Sequence, residues 1–236
     1  MKPMVIFYHI YCYDHQYNKW HSTVQDQLQK INDSGLYDVC DSMFVRIIGN
    51  NENFEIFQNF TKSMKKIQIL CADDNNDREA TTLKAVHSYS QKNDANILYI
   101  HTKGVTTGNN RREKYTIKAN HWRNLMEYFT IERWKQCIEV LNDGYDACGV
   151  LWRIEPFFGL ISGHFSGNFW WATTKYIATL PEIEDKTHRG YHEFWIGRNN
   201  PKVYCFHESG LNHHRSYYPR EYYAKENQCQ QLEYQN

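Results

Sequence analysis

Ile97-Leu98-Tyr99-Ile100-His101-Thr102-Lys103-Gly104 runs from four unbroken apolar residues into a polar loop that turns on a glycine. An apolar run without alternation is the signature of a strand buried on both faces, and such strands belong to parallel sheets covered by helices. The segments upstream agree with that reading. Val5-Ile6-Phe7-Tyr8 is a first short run of β-formers, and Trp20, Val24, Leu28 and Ile31 recur at helical spacing before the stop signal Ser34-Gly35. Met43 to Ile48 and Ile67 to Cys71 read as the second and third strands. Glu79 to Lys92 reads as a helix with Leu83, Val86 and Tyr89 or Ser90 facing inward. The expected order is β-α-β-β-α-β, an α/β fold with a mainly parallel, Rossmann-like sheet and helices on both faces. Ligands of such sheets bind beyond the carboxyl ends of the strands, so the loops after Tyr8, Ile48, Cys71 and Ile100 are the ones to watch.

The second half differs in character. Trp122, Leu125, Met126, Phe129, Trp134, Cys137, Ile138 and Leu141 mark one or two helices that stop at Asp143-Gly144. Asp146 to Trp152 reads as one strand, 158–167 as a glycine-punctuated loop, and Lys202 to Phe206 as the last strand. Thr173 or Thr174 caps a short helix that ends before Pro181. The expected organisation is one domain over 1–215, with halves at 1–105 and 106–215, and a tail at 216–236.

Composition bounds the function classes. The chain has 236 residues with 27 basic and 27 acidic side chains, a balance that argues against a dedicated nucleic-acid binder. Aromatics reach 16%, including 18 Tyr and 7 Trp, and suit either a packed core or the faces of sugars and bases. Seven cysteines, an odd count without C-x-x-C spacing, read as reduced thiols in a cytoplasmic protein. No stretch approaches the ~18 apolar residues of a membrane span.

Several segments could carry chemistry. His101-Thr102-Lys103-Gly104 sets a cation and several donors at a strand end, where an anion would sit; the alternative is a solvated loop. Asp73-Asp74 offers hard oxygen ligands for a cation, against a plain solvated turn. His164, Ser166, Asn168, Trp170 and Trp171 form a polar and aromatic cluster in which strand alternation sends Asn168 and Trp170 to one face. Core packing is the expected role of either Trp taken alone. His207, His213 and His214 near Cys205 and Glu208 lack the tight spacing of a zinc site. Lys84, Arg123 and Arg111-Arg112 are the remaining cations considered, the last two as a solvated pair.

The run Glu79-Ala80-Thr81-Thr82-Leu83-Lys84, then Ile97 to Gly104, resembles nucleotide-sugar glycosyltransferases of the GT-A type, in the subgroup found in large algal DNA viruses and bacterial surface-polysaccharide clusters. Trp122-Arg123, Gly149-Val150, His164 to Trp171, His192 to Gly197 and Ser209 to His214 add to the resemblance, which extends to about residue 215. It implies a nucleotide-sugar-binding half at 1–105 and an acceptor and catalytic half at 106–215, with a UDP-sugar donor and a glycan or glycoprotein acceptor. On the donor side it implies His9, Tyr11, Asp73, Thr82, Lys84, His101, Thr102, Lys103, Gly104 and His213; on the acceptor side, Trp122, Arg123, His164, Asn168 and Trp170. GT-A enzymes mostly carry Asp-x-Asp at the fourth strand's end to hold Mn or Mg, and His101-Thr102-Lys103 replaces it here. Metal dependence is therefore open: no metal is expected, Asp73 and Asp74 are the alternative ligands, and the resemblance implies His213 or His207 beside the diphosphate or its metal. Glu193, among Tyr191, Phe194 and Trp195 at an expected helix start, is the candidate general base for inverting transfer. A retaining enzyme would instead use it as a sugar-hydroxyl ligand. A non-catalytic carbohydrate-binding protein and a nucleotidyltransferase are the alternatives from other classes.

Overall fold

A computed structural model describes residues 2–15, 18–106, 113–157, 160–183 and 190–224. The chain opens with strand β1 (Met4–Tyr11), the paired strands β2 (Asp14–His15) and β3 (Asn18–Lys19), helix α1 (Trp20–Asp33) and the single turn α2 (Leu36–Val39). There follow β4 (Ser42–Ile48), α3 (Asn51–Thr61), β5 (Ile67–Asp73), α4 (Ala80–Ser90) and β6 (Asn96–His101). Helix α5 (Glu113–Glu127) continues through a π-helical turn, Tyr128–Glu132, into α6 (Trp134–Asn142). The rest comprises β7 (Ala147–Gly149), β8 (Trp152–Phe157), β9 (Leu160–Phe165), β10 (Trp170–Thr173), α7 (Thr174–Ile177), α8 (Gly190–Glu193) and β11 (Val203–Cys205), with 3-10 turns at Trp195–Gly197 and Arg220–Tyr222.

The central sheet has the order β5-β4-β1-β6-β10-β7-β11. β5, β4, β1 and β6 are mutually parallel, whereas β10 runs antiparallel to both β6 and β7. Alternation along the strands builds two cores. Ile6, Tyr8 and Ile10 of β1 with Leu98 and Ile100 of β6 face α1, α5, the π-turn and α6, while Val5, Phe7, Ile97 and Tyr99 face α4, α7 and the Trp195–Gly197 turn. Each fully buried aliphatic or aromatic side chain contributes roughly 1.5–3 kcal/mol.

Four elements depart from the sequence reading. A helix, α3, stands between β4 and β5, so this half is β-α-β-α-β-α-β. It is started by a reciprocal cap in which Asn50 accepts from the Asn53 backbone and Asn53 from that of Asn50. The strand expected over 146–152 is two, because Leu151 takes a left-handed φ of 57° and turns the chain from β7 into β8. Part of the expected 158–167 loop is β9, antiparallel to β8; 158–159 lie outside the described residues. The expected tail also begins inside the fold. Tyr223 is buried against Tyr128 and Phe129, and Arg220 grips Glu132 through two bonds of 2.7 and 2.5 Å.

Candidate functional site

The chain lays down β1, β4 and β5 toward one edge, then returns to place β6 on the other side of β1. The loops leaving β1 and β6 therefore diverge, and the crevice between them is the switch point at which such sheets take ligands. A cleft of about 990 Å³ opens there. β1 contributes His9 and Tyr11, the β6 loop contributes His101 to Thr106, and the β5–α4 loop contributes Asn76, Arg78 and Glu79. α5 supplies Trp122, α8 supplies Glu193, and the C-terminal segment supplies His213 and Arg215.

The β6 loop is held from three sides. Thr102 donates its backbone N–H to His9 O at 3.1 Å and accepts the Tyr11 N–H on Oγ1 at 2.9 Å. Gly104, at φ +94°, lies so close to α5 that an added Cβ would sit 3.1 Å from Ala119 Cβ. Lys103 places its ammonium 4.0 Å from the centre of the Trp122 ring, which also packs against His213 and His214. Beneath the loop, Arg123 donates to Lys103 O at 3.3 Å. Its charge belongs to a buried network with Glu127 and Asp26, into which Lys30 donates at 2.6 and 2.8 Å.

Glu79 is the residue that the sequence reading passed over as a mere helix start. Its Oε2 accepts from Tyr99 Oη and from Asn168 Nδ2, both at 2.6 Å. Burial alone raises this carboxyl, but the fields of His101 and His9 and the Tyr99 hydrogen bond outweigh it and hold the group down at about 2. Burial presses His9 down to about 3 and His213 to about 4, and lowers His101 as well. His101 donates Nε2–H to Gly167 O at 2.8 Å, and His9 Nδ1 pairs with Thr82 Oγ1 at 2.8 Å.

Of the expected donor-side residues, His9, Tyr11, His101, Thr102, Lys103, Gly104 and His213 line the cleft, with Glu193 and Trp122. Thr82 is fully buried behind His9, and Lys84 stands on the exposed face of α4, outside the lining. Arg123 is corrected from acceptor contact to the buried network under the loop. Asn168 and Trp170 are corrected likewise: Trp170 is buried against Tyr99 and donates to Asn168 Oδ1 at 2.9 Å. His164 is buried against Phe194, with ring centroids 4.1 Å apart, and is not in the lining. Glu193 ends the short helix α8 instead of starting one. Arg111, Arg112 and Cys229 lie outside the described residues.

The divalent cation that the resemblance implies does not fit these residues. An ammonium stands where Asp-x-Asp would be, and the Asp73 carboxylate is held by Arg46 and Cys71 at 2.7 Å and by the Asn75 N–H at 2.9 Å. Asp74 is exposed and outside the cleft lining. Among the described residues no group of three His, Cys, Asp or Glu is placed to hold a metal, and no helix is long and apolar enough to cross a membrane.

No curated protein matches the chain in sequence. Among solved structures, a 4-diphosphocytidyl-2C-methyl-D-erythritol synthase aligns over 78% of this chain and 82% of its own at 10% identity, with a TM-score of 0.40, a likeness too weak to carry an argument. A family profile, by contrast, matches residues 7–227, so nearly the whole chain is covered. The chain belongs to that family, described as a domain of unknown function, DUF8361.

Proposed function

We propose that this protein is a glycosyltransferase that moves a sugar from a nucleotide-sugar donor, a UDP-sugar, to a glycan acceptor. One observation carries the reading: a cleft at the sheet's switch point carries four cations, Arg78, Lys103, Lys114 and Arg215, against two carboxylates, Glu79 and Glu193. A cationic excess around a loop at the carboxyl ends of parallel strands suits a diphosphate. Half-buried carboxylates beside it suit a polyhydroxyl group.

The chemistry then follows from placement. The acceptor hydroxyl oxygen attacks the anomeric carbon, and the bond from that carbon to the diphosphate oxygen breaks. Its electron pair leaves with UDP, and the hydroxyl proton passes to the Glu193 carboxylate. Glu193 reaches the cleft from α8, on the wall formed by the second half of the chain, and is half-buried. Lys103 faces the leaving diphosphate and stabilises charge that grows only as the bond breaks, so it lowers the barrier and does not merely tighten binding.

The test is calorimetric titration with UDP, with and without manganese, followed by turnover with a panel of UDP-sugars. UDP binding without metal, together with turnover that Glu193→Gln abolishes while UDP still binds, is the expected result. Failure to bind UDP or any other nucleoside diphosphate would overturn the reading and favour a non-catalytic carbohydrate binder. Turnover surviving in Glu193→Gln would remove it as the base.

A further inference from the structure

Strand β5 closes one edge of the central sheet, and among the described residues no strand stands on its outer side. None of its seven residues is buried, whereas β11, at the opposite edge, is three residues long with Val203 and Cys205 buried. Ile69 and Leu70 lie at the centre of β5, 37% and 36% exposed. An open edge with apolar side chains is a template for another strand, and proteins that stay single blunt such edges with charge, proline or a bulge. A bulge does sit at Leu70, where the pairing with β4 skips from Ile69 to Cys71, but no charge or proline interrupts 67–72.

The charges stand at the two ends instead. Lys65-Lys66, six uncharged residues and Asp73-Asp74 make a segment whose ends are opposite in sign. Lys66 is turned inward, donating to the carbonyls of Tyr37 and Asp38 at 2.9 and 2.7 Å, and Asp73 is held by Arg46 at 2.7 Å. Lys65 and Asp74 are exposed, and among the described residues neither has an ion-pair partner. A copy of the same strand laid antiparallel brings each Lys65 beside the Asp74 of the other. Laid parallel, it sets like charges side by side, which destabilises a sheet. The segment is thus complementary to itself in one orientation alone, as an isologous two-fold contact requires. We propose that β5 is the interface of a homodimer, in which two copies pair edge to edge and antiparallel so that their central sheets join. With β11 short and buried, the other edge offers no such template, and the assembly stops at two. The loop that follows Asp74 lines the cleft with Asn76, Arg78 and Glu79, so the contact buttresses that wall.

Sedimentation equilibrium of the full chain over a wide concentration range tests it, and should give twice the chain mass at the upper end. Lys65→Glu alone and Asp74→Lys alone each set like charges together at both symmetry-related contacts. Either should raise the dissociation constant about tenfold, a difference of about 1.4 kcal/mol. Combined, they exchange the two charges and should restore the constant to within about threefold. Leu70→Lys, which puts a charge at the centre of the edge, should leave a monomer with the wild-type circular dichroism spectrum. A wild-type chain that stays monomeric throughout would overturn the inference, as would a dimer indifferent to Leu70→Lys. Open-ended assemblies would overturn the two-fold closure, and a double charge variant no tighter than either single one would overturn the antiparallel pairing.

Discussion

Acidification should destabilise this protein before its carboxylates titrate, because the histidines at the cleft are buried neutral. Burial lowers His9 to about 3 and His213 to about 4, each from an ordinary value near 6.5. Below that ordinary value the unfolded chain takes up protons that the folded chain refuses, so the stability is fully present above about pH 6.5 and is lost as the pH falls toward the folded values. Integrating that linkage down to about pH 5 removes about 2 kcal/mol for each histidine, about 4 kcal/mol together. Against a total stability of about 5–15 kcal/mol this is a large fraction. At about 2–4 °C per kcal/mol for a chain of this size, Tm should drop by roughly 8–16 °C between about pH 7.5 and pH 5. His101 and His207, also lowered by burial, act in the same direction. Glu79 has the opposite chemistry and the same sign: a carboxyl lowered from 4.5 to about 2 loses its contribution as the pH falls between those values, so its window opens below about pH 5 and overlaps the lower part of the histidine one. The assay is a series of thermal melts by circular dichroism at constant ionic strength, on the wild type, His9→Gln, His213→Gln and the double variant. The variants should start lower at neutral pH, where Thr82 and Ser209 lose their usual partner, yet show a flatter fall with acid. A Tm that stays level over this range, or a double variant that keeps the full slope, would refute the assignment of buried neutral histidines.

Three further outcomes follow from the packing around the cleft. Gly197→Ala would put a Cβ 1.7 Å from the Gly163 carbonyl oxygen, a backbone atom with no room to give. It should cost roughly 1–3 kcal/mol or more by melting and reduce turnover more than UDP affinity, because the displaced turn closely follows Glu193. Glu127→Ala should cost up to about 3–5 kcal/mol, since Glu127 is fully buried and its loss leaves Lys30 and Arg123 to share the single, partly exposed carboxylate of Asp26. Adding Lys30→Met should return part of that loss, and strict additivity of the two in a double-mutant cycle would count against the network. Lys103→Ala should weaken UDP by about 1.5–3 kcal/mol, the range of a hydrogen bond to a charged group, and equal affinity by calorimetry would sink the phosphate role.

What was readable in the sequence was what local pattern decides. The unbroken Ile97 to Ile100 run is β6, buried along its length, and Ser34-Gly35 does end α1, with Gly35 at φ 72°. Helix α3 escaped because its cap is an Asn50–Asn53 pair rather than Ser or Thr followed by Glu, and of its phenylalanines only Phe57 is fully buried. β8 and β9 escaped because neither stands in the central sheet; they pair with each other alone, so no run of core residues announces them. The assignments to chemistry divided in the same way. Lys103 and Gly104 were placed by following a buried strand to its end, which is local information. Arg123, Asn168 and Trp170 have the side chains a sugar contact wants, but residue type does not say which face a side chain takes, and all three are buried.

Glu79 shows why the rest had to wait for topology. Nothing adjacent to it in sequence distinguishes it from any acidic residue before a helix, where a negative charge is favoured by the helix dipole. Its fixed partners are Tyr99, 20 residues on, and Asn168, 89 residues on. Tyr99 arrives because β6 returns to the far side of β1; Asn168 arrives because β10 runs backward beside β6, pairing Trp170 with Tyr99. That one reversed strand carries the turn holding Asn168, at φ 60°, to the carboxyl end of its parallel neighbour. The anchoring of Glu79 is thus a product of strand order: a parallel β10 would present its amino end at the opposite end of the sheet and leave Glu79 with Tyr99 alone. A carboxylate with a single donor would sit higher on the pH scale and orient less firmly, so the antiparallel strand is the structural condition for a Glu79 fixed at the cleft wall.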